Sequence, residues 1–207
     1  NGGKTDINIT LTADIDLTGK DWTPIGTDYD NSYTGTFDGG GHTITGLTVT
    51  TNDKYAGLFG YLGNFNNAAA TVKNVVMDGI QITCNHRSGY AGGVAGYSWG
   101  TIENCSVSGS ISGTIYVGGV VGAQRDGSIT GCSSSATVKG MVQVGGVAGQ
   151  TIFGATLTAC YATGNVIIEI DRTQDISGGG LVGFNDGISL LACYATGNVT
   201  STGSSTG

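Results

Sequence analysis

The chain has one proline, Pro24, two histidines, His42 and His86, and charged residues at only 11% of its 207 positions. Each scarcity removes a class of function. Eight basic residues against 15 acidic ones leave a net charge of −7, the wrong sign for nucleic acid or an anionic membrane surface. No apolar run approaches the roughly 18 residues that a membrane helix requires. Helical spacing is absent over any useful length, and 39 glycines oppose helices in any case. There is no His-Glu-x-x-His, so zinc-peptidase chemistry of that kind would lie outside this segment. The Gly39-Gly40-Gly41 turn precedes no helical pattern, which removes a phosphate cradle.

What the chain has in abundance is one phrase rewritten. Gly92-Gly93-Val94-Ala95-Gly96 returns as Gly118-Gly119-Val120-Val121-Gly122, Gly145-Gly146-Val147-Ala148-Gly149 and Gly179-Gly180-Leu181-Val182-Gly183, with a diverged first copy, Ala56-Gly57-Leu58-Phe59-Gly60. The copies begin at 56, 92, 118, 145 and 179, so the steps are 36, 26, 27 and 34 residues. A second signature follows each of the later four, headed by Cys105, Cys132, Cys160 and Cys193, with Ile102, Ile129, Leu157 and Leu190 three residues earlier. In the first copy Val72 keeps the frame and Val75 stands for the cysteine.

Cys105, Val107, Gly109 and Ile111 alternate with Ser106, Ser108 and Ser110, the period of a half-buried strand. The glycine phrase reads as a second short strand where backbones come close. Parity breaks between Ile102 and Cys105, which predicts a corner around Glu103-Asn104. Units of this length cannot bury an apolar face alone; stacked, they share one core. The prediction is all-β: a parallel β-helix of six or seven coils. Residues 1–55 are its starting coils, 56–200 carry the five repeats and 201–207 form a linker. The insertions at 64–71 and 169–177 are expected to leave the coil as loops. The start of the chain reads as cut from a longer precursor.

Asp14-Ile15-Asp16-Leu17, Trp22-Thr23-Pro24-Ile25-Gly26 and the run from Tyr33 through Phe37-Asp38-Gly39-Gly40-Gly41-His42 to Ile44, followed by the five repeats, resemble the GLUG-repeat proteins. That resemblance covers the chain from Ile7 to about Val199. It implies a right-handed β-helical stalk in large secreted or surface-anchored bacterial proteins, adhesin-like and non-enzymatic, placed outside the cell or on its surface. The same repeat also occurs beside IgA-cleaving metallopeptidase domains, as an accessory module.

Cys105, Cys132, Cys160 and Cys193 hold equivalent repeat positions and should stack in a column about 4.8 Å apart. That spacing exceeds what a relaxed disulfide accepts, about 3.5–4.5 Å between Cβ atoms. They read as reduced, buried, small apolar residues. A thiolate metal column is the sharper alternative, without the paired spacing of zinc sites. Cys84 lies off the column as a lone thiol.

No catalytic residue, metal site or cofactor is expected. His42 reads as structural and His86 as solvated. Asp28, Asp30 and Asn31 lack the regular ligand series of a strong calcium loop. A β-helical carbohydrate-active enzyme would need clustered carboxylates, and Asp126 and Asp186, read as equivalent turn residues two coils apart, are too distant. The turns after the glycine phrase should instead stack into one ridge of Tyr97, Trp99, Arg125, Asp126, Phe153, Phe184 and Asp186. Exposed aromatics beside polar groups are how proteins hold sugar rings or anchor partners; packing over a corner of the coil is the competing reading. Tyr161 and Tyr194 should face outward as a pair. The partners expected are host glycans or an extracellular matrix protein, and flanking domains of the same chain. A passive spacer presenting another domain is the alternative.

Overall fold

The structure, a computed structural model, describes residues 5–66, 70–170, 175–186 and 189–203. It is a parallel β-helix of about six turns, with strands and no helix among the described residues. One coil illustrates the rest. Tyr90–Gly92 and Ala95–Ser98 flank a bend, Thr101–Glu103 follows, and Ser106–Ser112 closes the turn. Every strand pairs in parallel with its counterpart one coil on, so repeat positions become columns. Ile102 lies on Ile129 and Ile129 on Leu157; Gly92 lies on Gly118 and Gly118 on Gly145.

The corner expected at Glu103-Asn104 is made by left-handed backbone. Asn104 has φ +49°, and its counterparts Asn74, Gly131, Ala159 and Ala192 have φ between +53° and +64°. Each immediately precedes Val75 or a column cysteine, so this turn rotates the chain until that side chain points inward. Asparagine and glycine tolerate such φ well, alanine less so.

The three signature glycines are fixed by close approach, since none of them has a positive φ. A Cβ on Gly93 would lie 2.6 Å from Val107 Cγ1 across the core. A Cβ on Gly96 would lie 2.8 Å from Ala56 N and 2.9 Å from the Tyr90 carbonyl oxygen. The first and last glycines thus let the strands before and after the bend fold toward each other on the outside, while the second narrows the inside.

One continuous apolar core runs through the stack, from Tyr33 and Phe37 to Val166 and Ile168. The opening coils join it differently from the repeats. Trp22 Nε1 donates to the Leu58 carbonyl at 3.0 Å, and Tyr33 Oη to that of Ile7 at 2.8 Å. His42 Nδ1 and the Thr43 N–H meet Asp14 Oδ1 at 3.2 and 2.9 Å; these two contacts, the Thr43 bond foremost, hold the Asp14 carboxyl below its ordinary range. The centres of both insertions, residues 67–69 and 171–174, and the linker residues 204–207 lie outside the described residues.

Candidate functional site

Because the bend folds outward-facing strands together, side chains on its two flanks meet outside the core. Tyr55, Tyr90 and Tyr116 form a column before the bend and Tyr61 and Tyr97 one after it. Tyr90 stacks on Tyr116 at 4.4 Å and Tyr61 on Tyr97 at 4.9 Å, while Tyr55–Tyr61 and Tyr90–Tyr97 meet edge to face at 5.1 and 5.3 Å. With Trp99 and Ala123 they form a second apolar cluster, separate from the core. Trp99 Nε1 donates to Tyr61 Oη at 3.0 Å, and Lys54 Nζ lies 5.2 Å from the Tyr90 ring centre. Burial pushes the Tyr61 phenol up to about 12 and raises those of Tyr55, Tyr90 and Tyr97.

A line of flat groups runs along the stack axis beside this corner. Phe65, 74% exposed, meets Trp99 edge-on at 6.0 Å. The Arg125 guanidinium carbon lies 4.6 Å from the centre of the Trp99 ring and 3.9 Å from that of Phe153. Trp99 belongs to the coil before Arg125 and Phe153 to the coil after it, so the cation is held between two rings. Phe153 is 58% exposed and has φ +60°, a conformation rare for a bulky residue and found where structure over-determines it.

Of the residues expected in the turn ridge, Trp99, Arg125 and Phe153 are brought into contact and the others are placed differently. Tyr97 and Trp99 are only 8% exposed: of the two readings the sequence allows, they pack over the corner of the coil, among the neighbouring tyrosines, and do not present a free face. Asp126 Oδ1 accepts the Gly154 N–H at 3.1 Å. Phe184 stands over Gln150 in the Tyr97 column rather than over Phe153. Asp126 N donates to Ile152 O and Asp186 N to Thr151 O, so the two aspartates are one register step apart and not equivalent. Tyr55, Tyr61, Tyr90, Tyr116 and Phe65 were missed. A signal was present: tyrosine stands two residues ahead of the glycine pair in Tyr90 and Tyr116, and directly after the last signature glycine in Tyr61 and Tyr97.

Tyr161 and Tyr194 do lie outward, stacked at 5.2 Å with planes 4° apart. Tyr161 rims a shallow depression of about 260 Å³ floored by Ser106, Ser133 and Ser135 with Asp78 at its edge.

Inside the coil Cys105 N donates to Cys132 Sγ and Cys160 N to Cys193 Sγ, both at 3.4 Å. The sulfurs of Cys105, Cys132, Cys160 and Cys193 donate to the carbonyls of Glu103, Thr130, Thr158 and Leu191 at 3.2–3.4 Å. All five cysteines are free thiols. A hydrogen bond from Cys105 and burial push the Cys132 thiol up, a bond with Cys132 does the same to Cys160, and burial raises Cys84 and Cys193. Neutral, carbonyl-bonded sulfurs are poor metal ligands, since thiolate is the binding form. Among the described residues no three His, Cys, Asp or Glu side chains converge on a metal position. Asp28 accepts from Thr27, Asp30 and Asn31, which occupies the oxygens a calcium loop would use.

Comparison with known proteins agrees with this geometry. The family described as the GLUG motif matches residues 88–112 and 113–139, so these two repeats are GLUG repeats. The chain is 38% identical over 123 residues to "Halomucin" of Haloquadratum walsbyi, which is 55% of this chain and 1% of that protein. It is 37% identical over 101 residues to a "Putative Gly-rich membrane protein" of Evansella cellulosilytica, 48% of this chain and 11% of that one. The crystal structure of a "putative immunoglobulin A1 protease" from Bacteroides ovatus superposes with a TM-score of 0.75 at 25% identity, over 95% of this chain and 61% of that one. The chain therefore spans a small part of each of these sequence relatives and about three fifths of the structural one.

Proposed function

We propose that this β-helix is a non-catalytic segment of an extracellular or surface-displayed protein, and that it binds saccharide on the exposed rings of Phe65 and Phe153, at the two ends of a line whose middle is the buried Trp99 and the half-buried Arg125. The observation that carries the reading is the cost of that line. Phe65 and Phe153 leave large apolar surface in water, and Phe153 does so from a left-handed backbone. Phe153 is not needed to make its turn: Asp126, its counterpart one coil earlier, takes the same left-handed conformation at φ +56° with a polar side chain. Flat rings at the turns of a rigid coil, Phe153 braced by Arg125 and Phe65 by Trp99, present pyranose-sized faces at little entropic cost.

Two surface-type names among the relatives support display outside the cell. The protease name of the structural neighbour is compatible with the same reading, the β-helix being the part the two share, while the candidate catalytic groups here are scattered. A second reading, a stiff spacer, is favoured by the unbroken column from Ile9–Thr10 to Ser189–Leu191 and by a match that is 1% of one relative's length. An array of mucin-type and plant-type glycans probed with the purified chain tests the proposal, alongside Phe65→Ala and Phe153→Ala. Saturable binding weakened about tenfold or more in both variants is expected for ring-stacking contacts. Binding unchanged in both would remove the site, and no binding by a folded sample would leave the spacer.

A further inference from the structure

We infer that Arg125 is a receptor for one carboxylate, so that the saccharide taken by the aromatic line is an acidic one, a uronic acid or similar sugar; this rests on the saccharide reading above. Three features of Arg125 point there. First, no carboxylate among the described residues lies within ion-pair distance of it: the ion pairs are His42–Asp14, Lys73–Asp38 and Lys139–Glu169. The adjacent Asp126 gives its carboxylate to the Gly154 N–H instead. In a chain of net charge −7, a partly buried arginine left without an acid is unusual, because a desolvated cation is costly until it is paired.

Second, its donors are only partly spent: one reaches the Tyr97 hydroxyl and none reaches an acid. The Arg125 Nε–H is buried with no acceptor. Trp99 and Phe153 cover the two faces of the guanidinium, and the Tyr97 hydroxyl lies beside it. With faces and Nε covered, the terminal Nη groups are the edge a ligand can reach. Two parallel N–H donors on a planar group match the two oxygens of a carboxylate.

Third, the cation is already immobilised. The rings on the coils before and after it, 4.6 and 3.9 Å from the guanidinium carbon, restrain the side chain, so little of its freedom remains to be lost on binding. A sugar ring carrying the carboxylate would then rest against the exposed face of Phe153, one coil on. A single cationic edge suits one oxyanion at a time, since the net charge of −7 opposes the long-range approach of any polyanion; the planar fork matches a carboxylate's two oxygens.

Calorimetric titration of the purified chain separates the possibilities. The probes are the trisaccharide of galacturonic acid, its fully methyl-esterified form, a neutral galactose trisaccharide, a sulfated galactose trisaccharide and hexaglutamate. The galacturonate trimer should bind at least tenfold more tightly than its ester, and the advantage should shrink with added salt. Arg125→Leu should abolish that advantage, and Arg125→Lys, keeping the charge but not the fork, should retain only part of it. Thermal melts of both variants confirm folding, and a change in tryptophan emission, to which Trp99 contributes beside Trp22, gives a further signal of binding. Acid, ester and neutral trimers binding alike, or an undiminished advantage in Arg125→Leu, would overturn the carboxylate role while leaving saccharide binding in place. Preference for the sulfated trimer would assign the oxyanion to a sulfate and overturn the carboxylate. Hexaglutamate binding through Arg125 in the absence of trimer binding would overturn the saccharide. Silence from every probe would overturn this inference and the proposed function together.

Discussion

Along the inside of the coil Cys105, Cys132, Cys160 and Cys193 stack one above another, while across the glycine bend Tyr55, Tyr90 and Tyr116 stack on the outside. The inner column persists through the last four repeats, and where it departs, at Val75, the replacement is another small apolar residue. The outer column changes character after three coils, from tyrosine to Gln143 and then Ser177, with no change in pairing. An interior of fixed width admits a narrow range of volumes. An outer face has no such constraint, so what stands there is free to follow function. Repetition enforces the first ladder and merely offers room for the second.

Alkali gives the largest expected effect and separates the two ladders by pH. The thiols of Cys132 and Cys160 and the phenol of Tyr61 have folded pKa values above the unfolded ones, near 9.0 for cysteine and 10.0 for tyrosine. The stabilisation from each is whole below the unfolded value and is lost as pH rises toward the folded one, because the unfolded chain releases its protons first. Unfolding should therefore begin near pH 9, driven by the column, and steepen above pH 10 as the Tyr61 phenol, about 12 when folded, joins in. Circular dichroism against pH checks this. Cys132→Ala with Cys160→Ala should move the onset upward by removing two of the thiols that titrate first, and an unmoved onset would clear the column of that role.

Gly118→Ala should damage both ladders together. Its Cβ would run into the Val121 carbonyl oxygen and come within 2.7 Å of Gly149 N, all backbone that cannot step aside. A loss of about 2–4 kcal/mol in denaturant unfolding is expected. Cys132→Ala touches the inner ladder alone, leaving a small void at a fully buried site for about 1–2 kcal/mol. Tyr116→Gln touches the outer one alone, copying what the next coil already does with Gln143. It should cost only about 1 kcal/mol, the worth of an aromatic pair, and the coil should persist.

Much of the inner half was legible in the sequence. Spacing alone set Ile102, Ile129 and Leu157 in one column and marked the corner at Asn104, because a parallel solenoid converts equal repeat position into spatial contact. The aromatic corner was harder to read. Tyr90 and Tyr97 stand seven residues apart and belong to different strands; only the direction in which Gly92 and Gly96 bend brings them to 5.3 Å. A strand pattern says which residues face out, not whether neighbouring outward faces diverge or converge. For the same reason the sequence leaves open whether Tyr97 and Trp99 form a ridge or pack over the corner, and the structure packs them. The pairing of Arg125 with Phe153 needed a register known to the single residue, and the sequence reading was one step out at Asp186.

The smallest expected effects give the sharpest form of the comparison. Ala159 and Phe153 both hold left-handed backbone, at φ +53° and +60°, the first at the inner corner just before Cys160 and the second on the outer turn. An L-residue there gives up about 1–2 kcal/mol, and glycine escapes that cost while giving back about 0.5–1 kcal/mol in chain entropy. Ala159→Gly should therefore stabilise the fold by about 0.5–1 kcal/mol and leave saccharide binding unaltered, since nothing but a methyl group is removed. Phe153→Gly relieves the same strain but takes a ring from Arg125 at an exposed site, a contact of about 0.5–1 kcal/mol, so its net effect on stability should be close to zero. Its effect on binding to the acidic trisaccharide should be a loss of about tenfold or more. Equal gains in stability with binding intact in both would mean that Phe153 is an unrelieved accident of the turn. A silent melt with lost binding would mean that the strain is retained for the ring, and that the outer ladder answers to a ligand and the inner one to the fold.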